Sequence, residues 1–150
     1  MLKRLRALLL LCAGLATALP SVAVAQSVDL MVGDPSGRNV TFTFERDANR
    51  KPVSLTITTM RLGNPGAKLS IWIDKNPAAL LSHILTEQDC RYSDAGSACR
   101  LSIDGASDRY REFLLSFERG LTAHVEVRNA NVMEMREDVS LVGFRKKYRP

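Results

Sequence analysis

Strict alternation of apolar and polar residues marks the first half of the chain. It is clearest in three segments, which cover residues 40–44, 53–58 and 69–73. A period of two is typical of β-strands with one buried face. A polar stretch over residues 47–52 separates the first two segments and predicts a hairpin, while a short apolar run over residues 28–32 predicts one more strand before them.

The strand predicted over residues 69–73 carries a tryptophan on its less apolar face. Leu69, Ile71 and Ile73 share one face, so Trp72 points to the other. A tryptophan on the outer face of a sheet is packed by a loop or terminal segment, or it belongs to a contact surface. We take packing as the simpler expectation and keep Trp72 as a candidate contact residue.

Residues 77–85 fit two different elements. Pro77 suits the first turn of a helix, and the Ala-Ala-Leu-Leu run that follows has high helix propensity. The same segment also fits a strand buried on both faces, with Leu81, His83 and Leu85 on one side. The pattern leaves both alternatives open, and the family resemblance described below favours the strand.

Helical spacing appears after residue 106 and predicts a single helix. Ser107 is a good N-cap, and Asp108 places a carboxylate in the first turn, where it opposes the helix dipole. Gly120 is expected to end the helix as a C′ residue. The apolar stripe of the helix consists of Tyr110, Phe113, Leu114 and Phe117.

Alternation returns in the C-terminal part of the chain. Residues 123–128 predict a strand with His124 on its outer face. Residues 129–131 predict a turn, because Asn tolerates positive φ. Two further strands are predicted over residues 132–136 and 139–144.

The first 25 residues have the features of a secretory signal peptide. Basic residues at positions 3, 4 and 6 precede an apolar run over residues 7–19, and Ala23-Val24-Ala25 has the small residues that signal peptidase recognises. The apolar run is shorter than the roughly 20 residues of a membrane span, and no later segment approaches that length. We therefore expect residues 26–150 to form one exported domain, periplasmic or secreted, without a transmembrane segment.

The charge of the chain narrows the class of partner. Residues 1–25 contain three of the 21 basic residues and none of the 16 acidic ones, so their removal lowers the net charge from +5 to about +2. A larger and more clustered excess is typical of nucleic-acid binding, so we expect no nucleic-acid partner. We interpret the basic C-terminal segment as solvated, with weak contact to an anionic surface as the alternative. It consists of Arg145, Lys146, Lys147 and Arg149.

Two cysteines remain once Cys12 is removed with the signal peptide. Cys90 and Cys99 are separated by eight residues, and in an oxidising compartment such a pair predicts a disulfide. The loop-closure stabilisation for that spacing is about 2–3 kcal/mol. A zinc site would need more ligands than this pair supplies, and a redox-active pair normally has the C-x-x-C spacing.

No sequence motif of catalysis or cofactor binding is present. The chain lacks G-x-S-x-G, a glycine-rich phosphate loop, H-E-x-x-H and a calcium loop. His83 and His124 have no partner at a diagnostic spacing, and we interpret His83 as structural. We therefore expect no catalytic, cofactor-binding or metal-binding residue. The protein is expected not to be an enzyme, and the alternative is a small secreted enzyme whose site the fold assembles.

The order of elements in the C-terminal two thirds of residues 26–150 is distinctive. The Cys90 and Cys99 pair is followed by a helix ending in Gly120, by the V-x-V strand Val125-Glu126-Val127, and by V-S-L-x-G-F over residues 139–144. This order resembles the bacterial invasion-associated locus B family. The resemblance implies a small exported protein with a β-sandwich-like fold and no established enzymatic activity, from a family in which some members are associated with host-cell invasion.

These observations predict a mainly β protein, an antiparallel β-sandwich-like single domain with one α-helix and one disulfide. Together with the resemblance, they indicate a non-enzymatic accessory or binding protein of the cell envelope that contributes to host interaction. Its partner would be an envelope or host protein whose identity the sequence does not give.

Overall fold

Nine strands and two helices make up the part of the chain that the computed structural model describes, residues 26–76 and 78–149. The predicted signal peptide over residues 1–25 lies outside these residues. The strands are β1 (Gln26–Gly33), β2 (Asn39–Arg46), β3 (Pro52–Met60), β4 (Lys68–Ile73), β5 (Leu81–Ile84), β6 (Cys90–Ser93), β7 (Gly96–Asp104), β8 (Thr122–Asn129) and β9 (Val132–Ser140). The helices are α1 (Asp108–Arg119) and α2 (Phe144–Tyr148).

The strands form two antiparallel sheets. A five-stranded sheet has the order β1-β2-β3-β7-β6, and a four-stranded sheet has the order β5-β4-β8-β9. Their apolar inner faces share a hydrophobic core, which is the arrangement of a β-sandwich. The predicted fold class is therefore confirmed, with one short helix more than expected.

The alternating segments become strands because each has one face to bury. Val40, Phe42 and Phe44 of β2 are fully buried. Leu69 and Ile71 of β4, which belongs to the other sheet, are buried in the same core. The β2–β3 hairpin pairs in register from Asn39 opposite Met60, so the inward faces of the two strands coincide. The predicted hairpin and the predicted phase of β4 are both confirmed.

Helix α1 starts and packs as its sequence predicts. The Ser107 hydroxyl accepts a hydrogen bond from the backbone N–H of Tyr110 at 3.1 Å, which caps the first turn. The Phe117 ring lies 5.4 Å from the rings of both Phe42 and Phe44 of β2. The apolar stripe of the helix therefore packs into the aromatic part of the core.

Gly120 ends α1 for a different reason from the one expected. Its φ of −78° and ψ of 161° are extended, so it is not a left-handed C′ residue. A Cβ at this position would lie 2.4 Å from Cγ2 of Ile73 and 3.2 Å from Cδ1 of Leu141. Glycine is required here because the chain passes very close to β4.

The C-terminal segment corrects the prediction of a strand over residues 139–144. Strand β9 runs without interruption to Ser140, and Gly143 then adopts a φ of 84° that ends the extended chain. Phe144 and Tyr148 lie one helical turn apart in α2, and both rings contact Phe44. Burial of these two rings explains why residues 144–148 fold as a helix, while the basic side chains between and after them stay exposed.

Residues 81–84 are strand β5, and Pro77 lies outside the described residues. The prediction of a strand is confirmed for this part, but burial on both faces is wrong. Leu81 is buried, whereas Ile84 is 53% exposed. Because the four-stranded sheet packs its inner face against the other sheet, the outward face of β5 remains open to solvent.

The β8–β9 turn lies at residues 130 and 131, but its positive φ falls on an unexpected residue. Ala130 has a φ of 49°, and neither neighbouring Asn has a positive φ. The turn was predicted from the tolerance of Asn for that conformation. Its position is confirmed and the proposed backbone reason is wrong.

Candidate functional site

The two cysteines form a disulfide between adjacent strands. Cys90 of β6 lies directly opposite Cys99 of β7, and their sulfurs are bonded. Both residues are buried, and they form a small apolar cluster with Ala67 and Leu85. The predicted disulfide is confirmed, and it joins the edge strand of the five-stranded sheet to its neighbour.

His83 is joined to a carboxylate that sequence spacing did not reveal. Its Nε2 lies 3.1 Å from Oδ2 of Asp89, and the same oxygen accepts hydrogen bonds from the backbone N–H and hydroxyl of Thr86, both at 2.8 Å. Burial raises the pKa of Asp89, but the hydrogen bonds from His83 and Thr86 outweigh it and hold the pKa below its ordinary value. This contact connects β5 of one sheet to the segment that enters β6 of the other.

A second aromatic and charged cluster lies on the outer face of the four-stranded sheet. Trp72 of β4 is opposite His124 of β8, which is opposite Asp138 of β9. The Trp72 and His124 rings are stacked, with centroids 5.4 Å apart and planes 21° apart. Nδ1 of His124 lies 2.5 Å from Oδ1 of Asp138, and the guanidinium carbon of Arg136 lies 5.7 Å from the Trp72 ring centroid. We call Trp72, His124, Arg136 and Asp138 the Trp72 surface.

Side chains from neighbouring strands of the same sheet, His124 and Arg136, lie against the Trp72 ring. The tryptophan is half-buried, while the side chains of His124 and Asp138 are 24% and 66% exposed to solvent. Next to them, Arg128 pairs with Glu126 at 3.2 Å. The outer face therefore combines one large ring with charges of both signs.

The basic residues of the C-terminal segment lie in and just after α2. Arg145, Lys146 and Lys147 are exposed, because Phe144 and Tyr148 hold the other side of the helix against the core. The remaining predicted contact residue of this segment is already paired: Arg149 donates a hydrogen bond of 2.5 Å to Glu118 of α1. All four basic side chains are exposed, and among the described residues Arg149 is the one of the four that forms an ion pair.

A buried polar cluster connects both helices to β2. The hydroxyls of Tyr110 and Tyr148 are 2.8 Å apart, and the Arg46 guanidinium lies 4.7 Å from the Tyr148 ring centroid and donates to the Tyr148 carbonyl. Arg46 is only 4% exposed. Burial, together with the hydrogen bond to Tyr148, raises the pKa of Tyr110 well above its ordinary range.

A cavity of about 350 Å³ lies on the five-stranded sheet beside the disulfide. Its polar wall includes Thr58, Gln88, Arg91 and Arg100, and Met60 contributes an apolar side. Neither the Trp72 surface nor α2 takes part in it. The predicted contact residues and this cavity therefore lie on different parts of the sandwich.

Neither a cluster of metal-ligating side chains nor a His–Asp pair extended to a serine is present among the described residues. Within residues 26–76 and 78–149, no group of three or more His, Cys, Asp or Glu side chains is placed to hold a metal ion. Each histidine has an aspartate partner, but in the same part of the chain neither one hydrogen-bonds a serine. None of the described helices is long and apolar enough to cross a membrane.

Comparison with known proteins adds no family assignment, since no family model, curated protein or solved structure matches this chain. The interpretation of the site therefore rests on its own geometry.

Sequence reasoning missed the partners of Trp72 and of both histidines. Asp138 and Arg136 lie 66 and 64 positions after Trp72 and become its neighbours through the β4–β8 and β8–β9 registers. Asp89 lies six positions from His83, in a segment whose path sequence alternation does not define. The outward phase of His124 was the signal that could have placed it beside Trp72, given the strand order.

Proposed function

We propose that this protein is a non-enzymatic accessory or binding protein of the cell envelope, exported to the periplasm or secreted. The proposal combines the signal-like residues 1–25, the Cys90–Cys99 disulfide and the sandwich fold. The resemblance to invasion-associated locus B proteins extends the proposal to a contribution to host interaction.

The observation that carries this proposal is the Trp72 surface. A large indole ring lies half-buried on the outer face of a sheet, fixed by the His124 ring and by Arg136. Tryptophan and arginine are enriched among the residues that dominate binding energy at protein interfaces, since a rigid ring loses little conformational entropy on contact. The position of Trp72 is therefore suited to anchor an envelope or host protein.

The hydrogen-bonding groups around the ring favour a partner with a polar contact face. Asp138 is 66% exposed on its side chain and can accept hydrogen bonds, while Arg136 and Arg128 can donate them. An interface with a central aromatic residue and a charged rim is typical of protein partners that associate and dissociate.

Site-specific crosslinking tests this proposal. Position 70 lies two residues before Trp72 in β4 and therefore on the same face of the sheet. A photo-crosslinking amino acid at this position should capture a partner in the native envelope. The same photo-crosslinking amino acid at position 43, on the outer face of the five-stranded sheet, is the matched control. Capture from position 70 should be lost when Trp72→Ala is added.

The crosslinking result has a clear contrary outcome. Equal capture from positions 70 and 43, or capture that Trp72→Ala leaves unchanged, would contradict binding at the Trp72 surface. A parallel Arg136→Gln variant separates binding from folding. Its side chain is exposed, so its loss should weaken capture while costing no more than about 1 kcal/mol of stability.

A weaker contact with an anionic surface is a second proposal, favoured by the exposed side of α2. Arg145, Lys146 and Lys147 project from one short helix whose other side is buried. Such groups are attracted to anionic surfaces within about one Debye length, roughly 8 Å at physiological salt. Replacing all three by Gln should lower envelope association at low salt, and unchanged association would refute the contact.

A further inference from the structure

Each disulfide cysteine is followed by an arginine, and the hairpin places these two arginines on the same face. Cys90 and Cys99 are buried and point inward, so Arg91 and Arg100 point outward. Arg91 lies opposite Ala98, two residues before Arg100 on β7. Such diagonal neighbours are roughly 7–8 Å apart, within reach of one small ligand for long side chains.

The charge of the two guanidinium groups is not balanced by direct contacts. Among the residues that the structure describes, neither Arg91 nor Arg100 forms a side-chain ion pair or hydrogen bond. Two cations on adjacent strands repel each other, so the arrangement costs free energy in the absence of an anion. Both side chains line the cavity of about 350 Å³ beside the disulfide.

The other groups of the cavity fit a ligand with an anionic end and a less polar body. Thr58 and Gln88 offer a hydroxyl and an amide N–H, and Met60 supplies an apolar wall. Asp89 also lines the cavity, but its Oδ2 already accepts from His83 and Thr86. One engaged carboxylate against two unpaired guanidinium groups leaves the cavity positive.

We infer that this cavity is a binding site for a small phosphate monoester. The two guanidinium groups contact the phosphate oxygens, Thr58 and Gln88 donate further hydrogen bonds, and the body of the ligand lies against Met60. A phosphate monoester carries more negative charge at neutral pH than a carboxylate, so it matches two arginines better. The disulfide holds β6 and β7 in register and thereby fixes the spacing of the two cations.

This site is separate from the one that carries the proposed function. The cavity belongs to the five-stranded sheet, whereas the Trp72 surface belongs to the four-stranded sheet. Loss of partner capture at the Trp72 surface would therefore leave phosphate binding intact, and the reverse also holds.

Titration of the disulfide-bonded protein with phenyl phosphate tests the inference. Isothermal calorimetry at low salt should show saturable binding to the wild type. Arg91→Gln and Arg100→Gln should each weaken the affinity about tenfold, the effect of losing one hydrogen bond to a charged group. The double variant should bind no phenyl phosphate in the same range.

A matched variant controls for net charge. Lys51→Gln with Lys75→Gln removes the same two charges from exposed positions that belong to none of the proposed contacts, and should leave the affinity unchanged. Benzoate has a similar ring with a singly charged end and should bind more weakly than phenyl phosphate. Equal affinity for benzoate, equal loss in the Lys51 and Lys75 double variant, or no loss in the Arg91 and Arg100 double variant at an unchanged melting temperature would overturn the inference.

Discussion

Nε2 of His83 lies 3.1 Å from Oδ2 of Asp89, and this contact joins the two sheets next to the disulfide. His83 comes from β5 of the four-stranded sheet, while Asp89 immediately precedes Cys90 of the five-stranded sheet. Both sheets end in a short edge strand on this side of the sandwich, β6 in one and β5 in the other. A disulfide within one sheet and an ionisable pair between the sheets therefore stabilise this side.

Acid should weaken this part of the protein. The pKa of Asp89 is below the ordinary value of 3.8 in the folded state, so its ionised form stabilises the fold above that pH. The stabilisation should be lost as the pH falls below 3.8 and through the lower folded pKa. The loss can be measured from the free energy of unfolding by denaturant, for the wild type and for Asp89→Asn, across pH 2–7.

Asp89→Asn should cost about 1–2 kcal/mol at neutral pH, because a hydrogen-bonded charge is removed. The difference from the wild type should narrow at the acid end. Asp138→Asn is the matched control, since its side chain is 66% exposed in the other His–Asp pair and its removal should cost less than about 1 kcal/mol. A constant difference for Asp89→Asn at all pH values would argue against the assigned role.

Removal of the disulfide should destabilise the folded state without changing the fold. The bond closes a loop with eight residues between its ends, for which the loop-closure model gives about 2–3 kcal/mol. Cys90→Ala with Cys99→Ala should therefore lower the free energy of unfolding by about that amount. Reductant should lower the stability of the wild type similarly and leave the double variant unaffected.

Alkaline pH should also destabilise the protein, through Tyr110. The folded pKa of Tyr110 is raised by burial and by the Tyr148 hydroxyl, so the fold favours the neutral phenol. Its contribution is complete below pH 10.0, the ordinary value, and is lost as the pH rises above it. Tyr110→Phe should cost about 1 kcal/mol at pH 7 because a hydrogen bond is lost. Above pH 10.0 its free energy of unfolding should fall less steeply with pH than that of the wild type.

The control for Tyr110→Phe is Tyr92→Phe, which removes a hydroxyl from a side chain that is 61% exposed. That variant should reproduce the alkaline unfolding of the wild type. If Tyr110→Phe also reproduced it, another group would be responsible for the alkaline transition.

Gly120→Ala should be destabilising because the added methyl clashes with its neighbours, not because alanine disfavours the backbone φ and ψ angles at this position. The added methyl would lie 2.4 Å from Cγ2 of Ile73, so α1 or β4 must move. Overpacking of this kind costs about 1–3 kcal/mol. Chemical denaturation should show a smaller cost of Gly120→Ala in an Ile73→Ala background, where the contact is relieved. An equal cost in both backgrounds would instead point to the backbone.

Local patterns were sufficient for the elements with clear alternation or helical spacing. Alternation at residues 40–44 and 53–58, together with helical spacing after Ser107, gave β2, β3 and α1 because each element must bury its apolar face. The same reasoning failed at residues 144–148. An apolar residue followed four positions later by an aromatic one fits a helix only when a partner such as Phe44 is present to cover both rings.

The sequence by itself determined the strands with clear alternation, the capped helix, the pairing of Cys90 with Cys99 and the outward face of Trp72. These depend on chain periodicity and on a short loop, which are local properties. The strand order and register decided which groups from distant segments lie side by side, such as His124 with Trp72. Contacts between distant segments depend on how two sheets share one core, so only the tertiary structure could place the candidate sites.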